Sequence, residues 1–329
     1  MKEGYKEWFG KTIELTGEAA IRWLEGAVSE GYSAPADYLP GGGPNLFGRT
    51  PKYAVASKLD FVAGLGATGL RAAAFLPADA LASQAGQLST LSRQHSSLVV
   101  HMTTQAWNAS AFDQTAGHSS FAALAGTGAF QLLATNAQEA LDFAIISHKI
   151  AELALIPGVN AMDIWPTAVE PQAIDCPTKE MLIQFLGSSD DQIACPTPAQ
   201  EMLFGKKRRR VPNWFNLDFP ALNGARKDEP AISLESAAQQ RYFYHHLPAI
   251  VAQVMGEYSR LAGRDYAPVM AYRAEDADYL VLTMGAAFAS AKAAVDYLRS
   301  QEKARVGCLN LSLFRPFPAE MLAGLLDGK

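Results

Sequence analysis

Apolar positions recur in two rhythms along this chain. From Gly17 to Val28 they fall at helical spacing behind Thr16, whose hydroxyl can cap the first free N–H groups, and this predicts a first helix. Ser97–Met102, Phe130–Ala134 and Val159–Trp165 are short and apolar, as strands covered on both faces must be. Tyr53 to Ala56 is a further strand candidate, and Asp79 to Arg93 is helical in composition. A turn at Thr135-Asn136 leads into an amphipathic helix from Gln138 to Ala154. Glu235 to Gly263 predicts one long helix closed by Gly263. Tyr279–Thr283, Ala287–Ser300 and Ala304–Ser312 spell out the strand, helix and strand of a βαβ unit. Strands alternating with helices predict a parallel sheet covered on both faces. Ligands in such sheets bind beyond the strand carboxyl ends, where residues 103–120 and 163–170 fall.

Three stretches break these rhythms. Gly31 to Gly48 is crowded with Gly and Pro and predicts a long ordered loop, and Pro166 to Pro220 predicts irregular structure. The run Gly64-Leu-Gly66-Ala-Thr-Gly69 matches GxGxxG, which cradles a pyrophosphate when it follows a strand and opens a helix. That reading needs a ribose-binding acid further on, and Ala80 to Phe112 holds none; the alternative is a helix of small residues packed tightly against a neighbour. Lys206 to Arg210 is a basic run that could meet phosphate or an acidic partner, or could be a solvated loop.

Composition narrows the classes. With 329 residues, 49% of them hydrophobic and 19% charged, the chain can bury the cores of two domains. No apolar run reaches the length a membrane helix needs, and the N-terminus has early acids and no apolar signal core. A net charge of -5 argues against nucleic acid as a partner. Cys176, Cys195 and Cys308 are odd in number and widely spaced, which fits free thiols in a cytoplasmic protein and builds neither a disulfide, a zinc site nor an iron–sulfur site.

Several segments together resemble a known family: LLATNAQEALDFAIISHKIAE at 132–152, AMDIW and AVE within 161–170, LAGRDY at 261–266, DYLVLTMGAA at 278–287 and VGCLNLSLFRPF at 306–317. Their order resembles the N-terminal part of the pyruvate:ferredoxin (flavodoxin) oxidoreductases and the α chains of related 2-oxoacid oxidoreductases. The resemblance implies an α/β fold, a parallel sheet covered by helices on both faces, of the thiamine diphosphate-binding pyrimidine-domain type over residues 1–263. The start of a transketolase-C-terminal-like α/β domain is expected over 264–329. A lone βαβ unit cannot close a sheet, so this second part is expected to be completed by a partner or by further chain. The implied activity is oxidative decarboxylation of a 2-oxoacid on thiamine diphosphate shared with a diphosphate-binding domain or β-type chain. Electrons would pass to iron–sulfur clusters on partner domains or chains, then to ferredoxin or flavodoxin, within an oligomeric complex.

The same resemblance places the site residues. Family members hold the aminopyrimidine with a glutamate. Registration on Val62–Gly64 puts Val55 at that place, registration on Asn45–Gly48 puts Leu59 there, and Asp60 is the nearest carboxylate. The loop whose threonine touches substrate aligns with Tyr32-Ser-Ala-Pro35, setting Pro35 at the threonine and leaving Ser33 as the neighbouring hydroxyl. The arginine that neutralises the substrate carboxylate aligns with Gln105, whose neutral amide cannot give a charge-assisted bidentate contact. Gly117-His118-Ser119 matches a further family segment and makes His118 a candidate for chemistry or for packing. Two expectations remain: an α-type module with an altered pocket, or a non-catalytic docking module of a larger redox enzyme.

Overall fold

Apolar runs with an alternating second preference become the strands of one central sheet. The protein is described by a computed structural model covering residues 8–56, 58–108, 111–113, 117–215, 228–302 and 304–327. Residues 109–110 and 114–116 of the polar segment, and 216–220 of the stretch expected to be irregular, lie outside these described residues.

The first half of the chain runs β1 (Thr12–Leu15), α1 (Gly17–Val28), β2 (Gly31–Ala34), β3 (Lys52–Val55), α2 (Asp60–Ala67), β4 (Ala72–Phe75), α3 (Ala78–Ser83), α4 (Ala85–Arg93) and β5 (Val99–Thr104). Then come β6 (Ala106–Asn108), β7 (Ala111–Asp113), α5 (Ser119–Ala122), β8 (Phe130–Ala134), α6 (Ala137–Ala154) and β9 (Gly158–Asp163). A middle stretch holds β10 (Gln172–Asp175), α7 (Lys179–Leu186), β11 (Gln192–Ala194), α8 (Pro198–Phe204) and β12 (Lys207–Arg209). It leads to α9 (Glu229–Tyr242) and α10 (Leu247–Ala262). The last stretch is β13 (Val269–Tyr272), β14 (Tyr279–Thr283), α11 (Ala287–Ser300), β15 (Val306–Leu311), β16 (Leu313–Arg315) and α12 (Ala319–Leu326).

The central sheet has seven strands in the order β16-β8-β9-β5-β4-β2-β3, and all but β16 run parallel. Alternate residues serve opposite faces, as the strand period requires. Phe130 and Leu132 of β8 join a core with α1, α6, α7 and α10, while Leu133 joins a second core with α2, α3, α4 and α5. Helix α6 begins where Asn136 accepts from the Glu139 N–H at 2.9 Å and Glu139 accepts from the Thr135 N–H at 2.9 Å, two free donors satisfied reciprocally. Buried Asp142 of α6 accepts from the Tyr258 hydroxyl at 2.6 Å, from Arg264 Nε at 2.9 Å and from the Tyr266 hydroxyl. This is the work of the LAGRDY segment: it ties the end of α10 to α6.

Four local expectations are corrected. Gly31–Ala34 is not loop but β2, fully buried between β3 and β4. Pro166 to Pro220 is not irregular as a whole: Thr178 and Thr197 cap α7 and α8, and two short antiparallel pairs, β1 with β10 and β11 with β12, staple the segment down. The long helix is broken, α9 and α10 being separated by a short 3-10 turn at Tyr244–His246. The glycine run does not open a helix. Gly64 and Gly66 lie in the second half of α2 and Gly69 in the turn behind it, so no pyrophosphate cradle forms. Close packing explains only part of it, because Gly64 has open space where a side chain would stand.

The basic run is neither a solvated loop nor a free patch. Arg208 is buried, donating to Gln200 Oε1 at 2.8 Å and to the Glu152 carbonyl at 2.6 Å, and burial pushes its guanidinium down to about 10. Arg209 pairs with Asp190, and within the run Lys206 and Lys207 are the exposed residues.

After Gly263 the chain makes a separate three-stranded sheet in the order β13-β15-β14, with β14 parallel to β15. It then returns: β16 pairs antiparallel with β8 and closes one side of the central sheet.

Candidate functional site

The carboxyl ends of the parallel strands gather the sequence candidates in two groups. The first lies at β2 and β3, which pair in the register Ala34 with Val55. Ser33 is fully buried, and its hydroxyl donates to the Ala56 carbonyl at 2.8 Å. Pro35 follows at the strand end, leading the turn Ala36–Tyr38. Val55 is 68% exposed, whereas Leu59 is sealed in the second core. Asp60 is the exposed first residue of α2, and its carboxylate accepts from the Gln87 amide on α4. Neither registration of the family glutamate therefore meets an acid.

The second group lies at β5 and β9, where Thr104 pairs with Asp163. Gln105 follows Thr104; its N–H donates to Ser120 Oγ at 3.1 Å and its carbonyl accepts from the Ser120 N–H at 3.4 Å. Those bonds draw the 117–120 segment up beside Gln105. The approach requires Gly117, since a Cβ there would stand 2.6 Å from Ala106 Cβ. His118 then donates from Nε2 to Asp163 Oδ1 at 2.8 Å, and the same oxygen accepts from Thr104 Oγ1 at 2.8 Å. Asp163 Oδ2 accepts from the Ala286 N–H at 2.7 Å, just before α11. Burial alone would raise the Asp163 carboxyl, but the hydrogen bond from His118 and those from Ala286 and Thr104 outweigh it and hold the group below its ordinary range. Asp163 was not singled out from the sequence; the signal available was an acid closing an apolar strand.

Glu18 was also missed. It sits in the first turn of α1 within electrostatic reach of the Tyr38 hydroxyl, whose ring stacks on Phe75 at 4.6 Å. Burial raises its carboxyl, opposed by Tyr38 and Arg22, and burial together with Glu18 pushes the Tyr38 hydroxyl up to about 12. A raised carboxyl beside the carboxyl end of β2 makes Glu18 a candidate site residue.

One further cluster has metal-like composition. Glu25 of α1, His101 of β5 and His148 of α6 are all buried, with ligand atoms within 4.8 Å of one another. His101 Nε2 lies 2.8 Å from Glu25 Oε1, and His148 Nε2 lies 2.9 Å from the same oxygen. Asn160 Nδ2 donates to the Ala140 carbonyl at 3.0 Å, which fixes the amide, and it reaches His101 Nδ1 at 3.2 Å. His101 Nδ1 is thus an acceptor, and its proton is on Nε2, facing Glu25. Ser29 Oγ donates to the other carboxylate oxygen. Protons close this cluster, so it reads as a hydrogen-bonded core element and not as a metal centre. Burial alone would raise the Glu25 carboxyl, but the charge of His148 and the hydrogen bonds from His101 and His148 hold it well below the usual carboxylate range.

Comparison with known proteins follows the same outline. The family described as pyruvate flavodoxin/ferredoxin oxidoreductase, thiamine diphosphate-binding, matches residues 56–217, and pyruvate:ferredoxin oxidoreductase core domain II matches residues 277–329. Pyruvate-flavodoxin oxidoreductase of a Nostoc species is 27% identical over 287 residues, 86% of this chain and 22% of that one. Pyruvate synthase subunit PorA of Pyrococcus furiosus is 28% identical over 201 residues, 60% of this chain and 46% of that one. The chain thus spans less than half the length of either relative. Among solved structures, a 2-oxoglutarate:ferredoxin oxidoreductase from Magnetococcus marinus aligns over 95% of this chain and 56% of that chain, with a TM-score of 0.63 and 14% identity. A transketolase from Pichia stipitis aligns over 99% of this chain and 40% of that one, with a TM-score of 0.51 and 10% identity. These two show the shared fold.

Proposed function

The chain belongs to the pyruvate:ferredoxin (flavodoxin) oxidoreductase family, and from that premise we propose that it is the α-type module of a 2-oxoacid:acceptor oxidoreductase-like assembly. Its own contribution is a pocket for an anionic 2-oxoacid at the carboxyl ends of β5 and β9. The observation that supports this is the convergence of Gln105, His118 and Asp163 at the edge where open α/β sheets receive ligands. A diphosphate-binding domain or β-type chain would provide the remainder of a cofactor site, and iron–sulfur clusters on partners would take the electrons to ferredoxin or flavodoxin. Residues 1–263 would form the pyrimidine-type domain and 264–329 the beginning of the second, in a cytoplasmic complex.

The pyrimidine side does not fit thiamine diphosphate as the family uses it. An exposed valine and a buried leucine stand at the two registrations of the glutamate, and neither can exchange a proton with an aminopyrimidine. Asp60 is turned to Gln87, and Ser33 spends its hydroxyl on a backbone carbonyl. This mismatch favours a second reading, in which the module binds partners and ligand without activating the cofactor. Calorimetric titration of thiamine diphosphate into the chain assembled with its physiological partners separates the two. Saturable cofactor-dependent heat supports the catalytic module; an intact complex that gives none leaves the docking role.

A further inference from the structure

We propose that His118, oriented by Asp163, receives the carboxylate of the substrate in place of the guanidinium that Gln105 cannot supply. This rests on the reading of the β5 and β9 ends as a 2-oxoacid pocket. The two positions are neighbours by construction, because the Gln105 backbone is bonded to Ser120 and Gly117 allows the loop to lie against Ala106. A charge lost at position 105 can therefore be replaced from residue 118 without moving the ligand far.

The imidazole is built to be aimed. Its Nε2 is held by Asp163, which is 5% exposed, while the His118 side chain is 31% exposed and makes no other hydrogen bond among the described residues. Asp163 is in turn fixed through both oxygens, by Thr104 on one side and the Ala286 N–H on the other. A carboxylate behind a histidine sets the ring's orientation and tautomer and leaves the far nitrogen to meet a ligand. With a proton on each nitrogen the ring donates to two carboxylates at once, Asp163 through Nε2 and the substrate through Nδ1. Asp163 is a positioning residue in this arrangement, and His118 is the residue that touches substrate.

The test uses the full chain with its partners and two probes, pyruvate and its uncharged ester methyl pyruvate, titrated by calorimetry into wild type, H118Q, Q105R and the H118Q/Q105R double variant. Pyruvate affinity is expected to fall about tenfold or more in H118Q, the loss of one charge-assisted contact. Methyl pyruvate binding should not change, and Q105R should restore pyruvate binding in the double variant. D163N should reduce the preference for pyruvate over the ester, a ratio that a purely structural role would not move. If H118Q binds pyruvate as tightly as wild type, or loses both probes equally, the assignment to His118 is wrong while the pocket stands. If wild type binds neither probe, the pocket reading falls with it.

Discussion

Two histidine–carboxylate clusters lie along the same strand, one at its middle and one at its carboxyl end, and have opposite characters. Strand β5 carries His101 in its middle, bonded to Glu25 and facing His148, and passes four residues on to Gln105, beside His118 and Asp163. In the inner cluster every side chain is sealed, and every carboxylate oxygen and Nε2 is matched within the protein. In the outer cluster the carboxylate is matched but the imidazole is one-third exposed. Residue types alone would have assigned chemistry to the inner group, which has the composition of a metal site. Depth along the sheet decides otherwise: the inner cluster also has an unpartnered nitrogen, His148 Nδ1, but it is sealed in the core, whereas at the carboxyl edge the second nitrogen of His118 belongs to a ring that solvent and ligand can reach.

The contrast predicts a graded series of effects. Glu25→Ala should be the most damaging change, because it leaves two buried imidazoles facing each other without their acceptor; a loss of about 3–5 kcal/mol is expected from urea unfolding. A loss below about 1 kcal/mol would show that the inner cluster is not tightly coupled. Gly285→Ala comes next. Gly285 has φ +64 and its missing side chain would run into Asp163, so about 1–3 kcal/mol should be lost together with the anchoring of the outer carboxylate.

Asp163→Asn should cost less, about 1–2 kcal/mol near neutral pH. Its signature is the pH dependence. The native carboxyl titrates below the ordinary value of 3.8, so its contribution is complete above that value and is lost as pH falls through the depressed native one. The gap between wild type and D163N in urea midpoints should therefore hold constant from neutral pH to about 5 and narrow on further acidification. A gap that instead widens toward acid would contradict the depressed carboxyl. Val55→Glu, at an exposed strand end, should shift stability by less than about 0.5 kcal/mol while supplying the acid that the β3 end lacks.

Elements whose apolar rhythm is uninterrupted were legible. Strand β8 occupies the expected Phe130–Ala134, and α6, α11 and β14 fall within a residue of expectation. Strand β2 was not, because Gly31, Tyr32, Ser33 and Ala34 have the composition of a turn; only their burial between two neighbours makes them a strand. The middle stretch hid its helices behind prolines that in fact sit at helix starts, as Pro198 does after Thr197. At the site, Gln105 and His118 could be named from segment order, but not their adjacency, which depends on a bond from Gln105 to Ser120. Glu25 gave no signal, since an acid on an amphipathic helix is ordinarily a solvated one.

Asp163 divides its two oxygens between two parts of the molecule. One is committed to the central sheet, through Thr104 and His118, and the other to the turn that opens α11. A substitution that adapts the pocket to a different ligand will therefore be felt where the later sheet is joined, and a change at that joint will be felt in the pocket. Mutational drift in residues 103–118 and in residues 283–287 should consequently be correlated, with Gly285 the least replaceable member of the set.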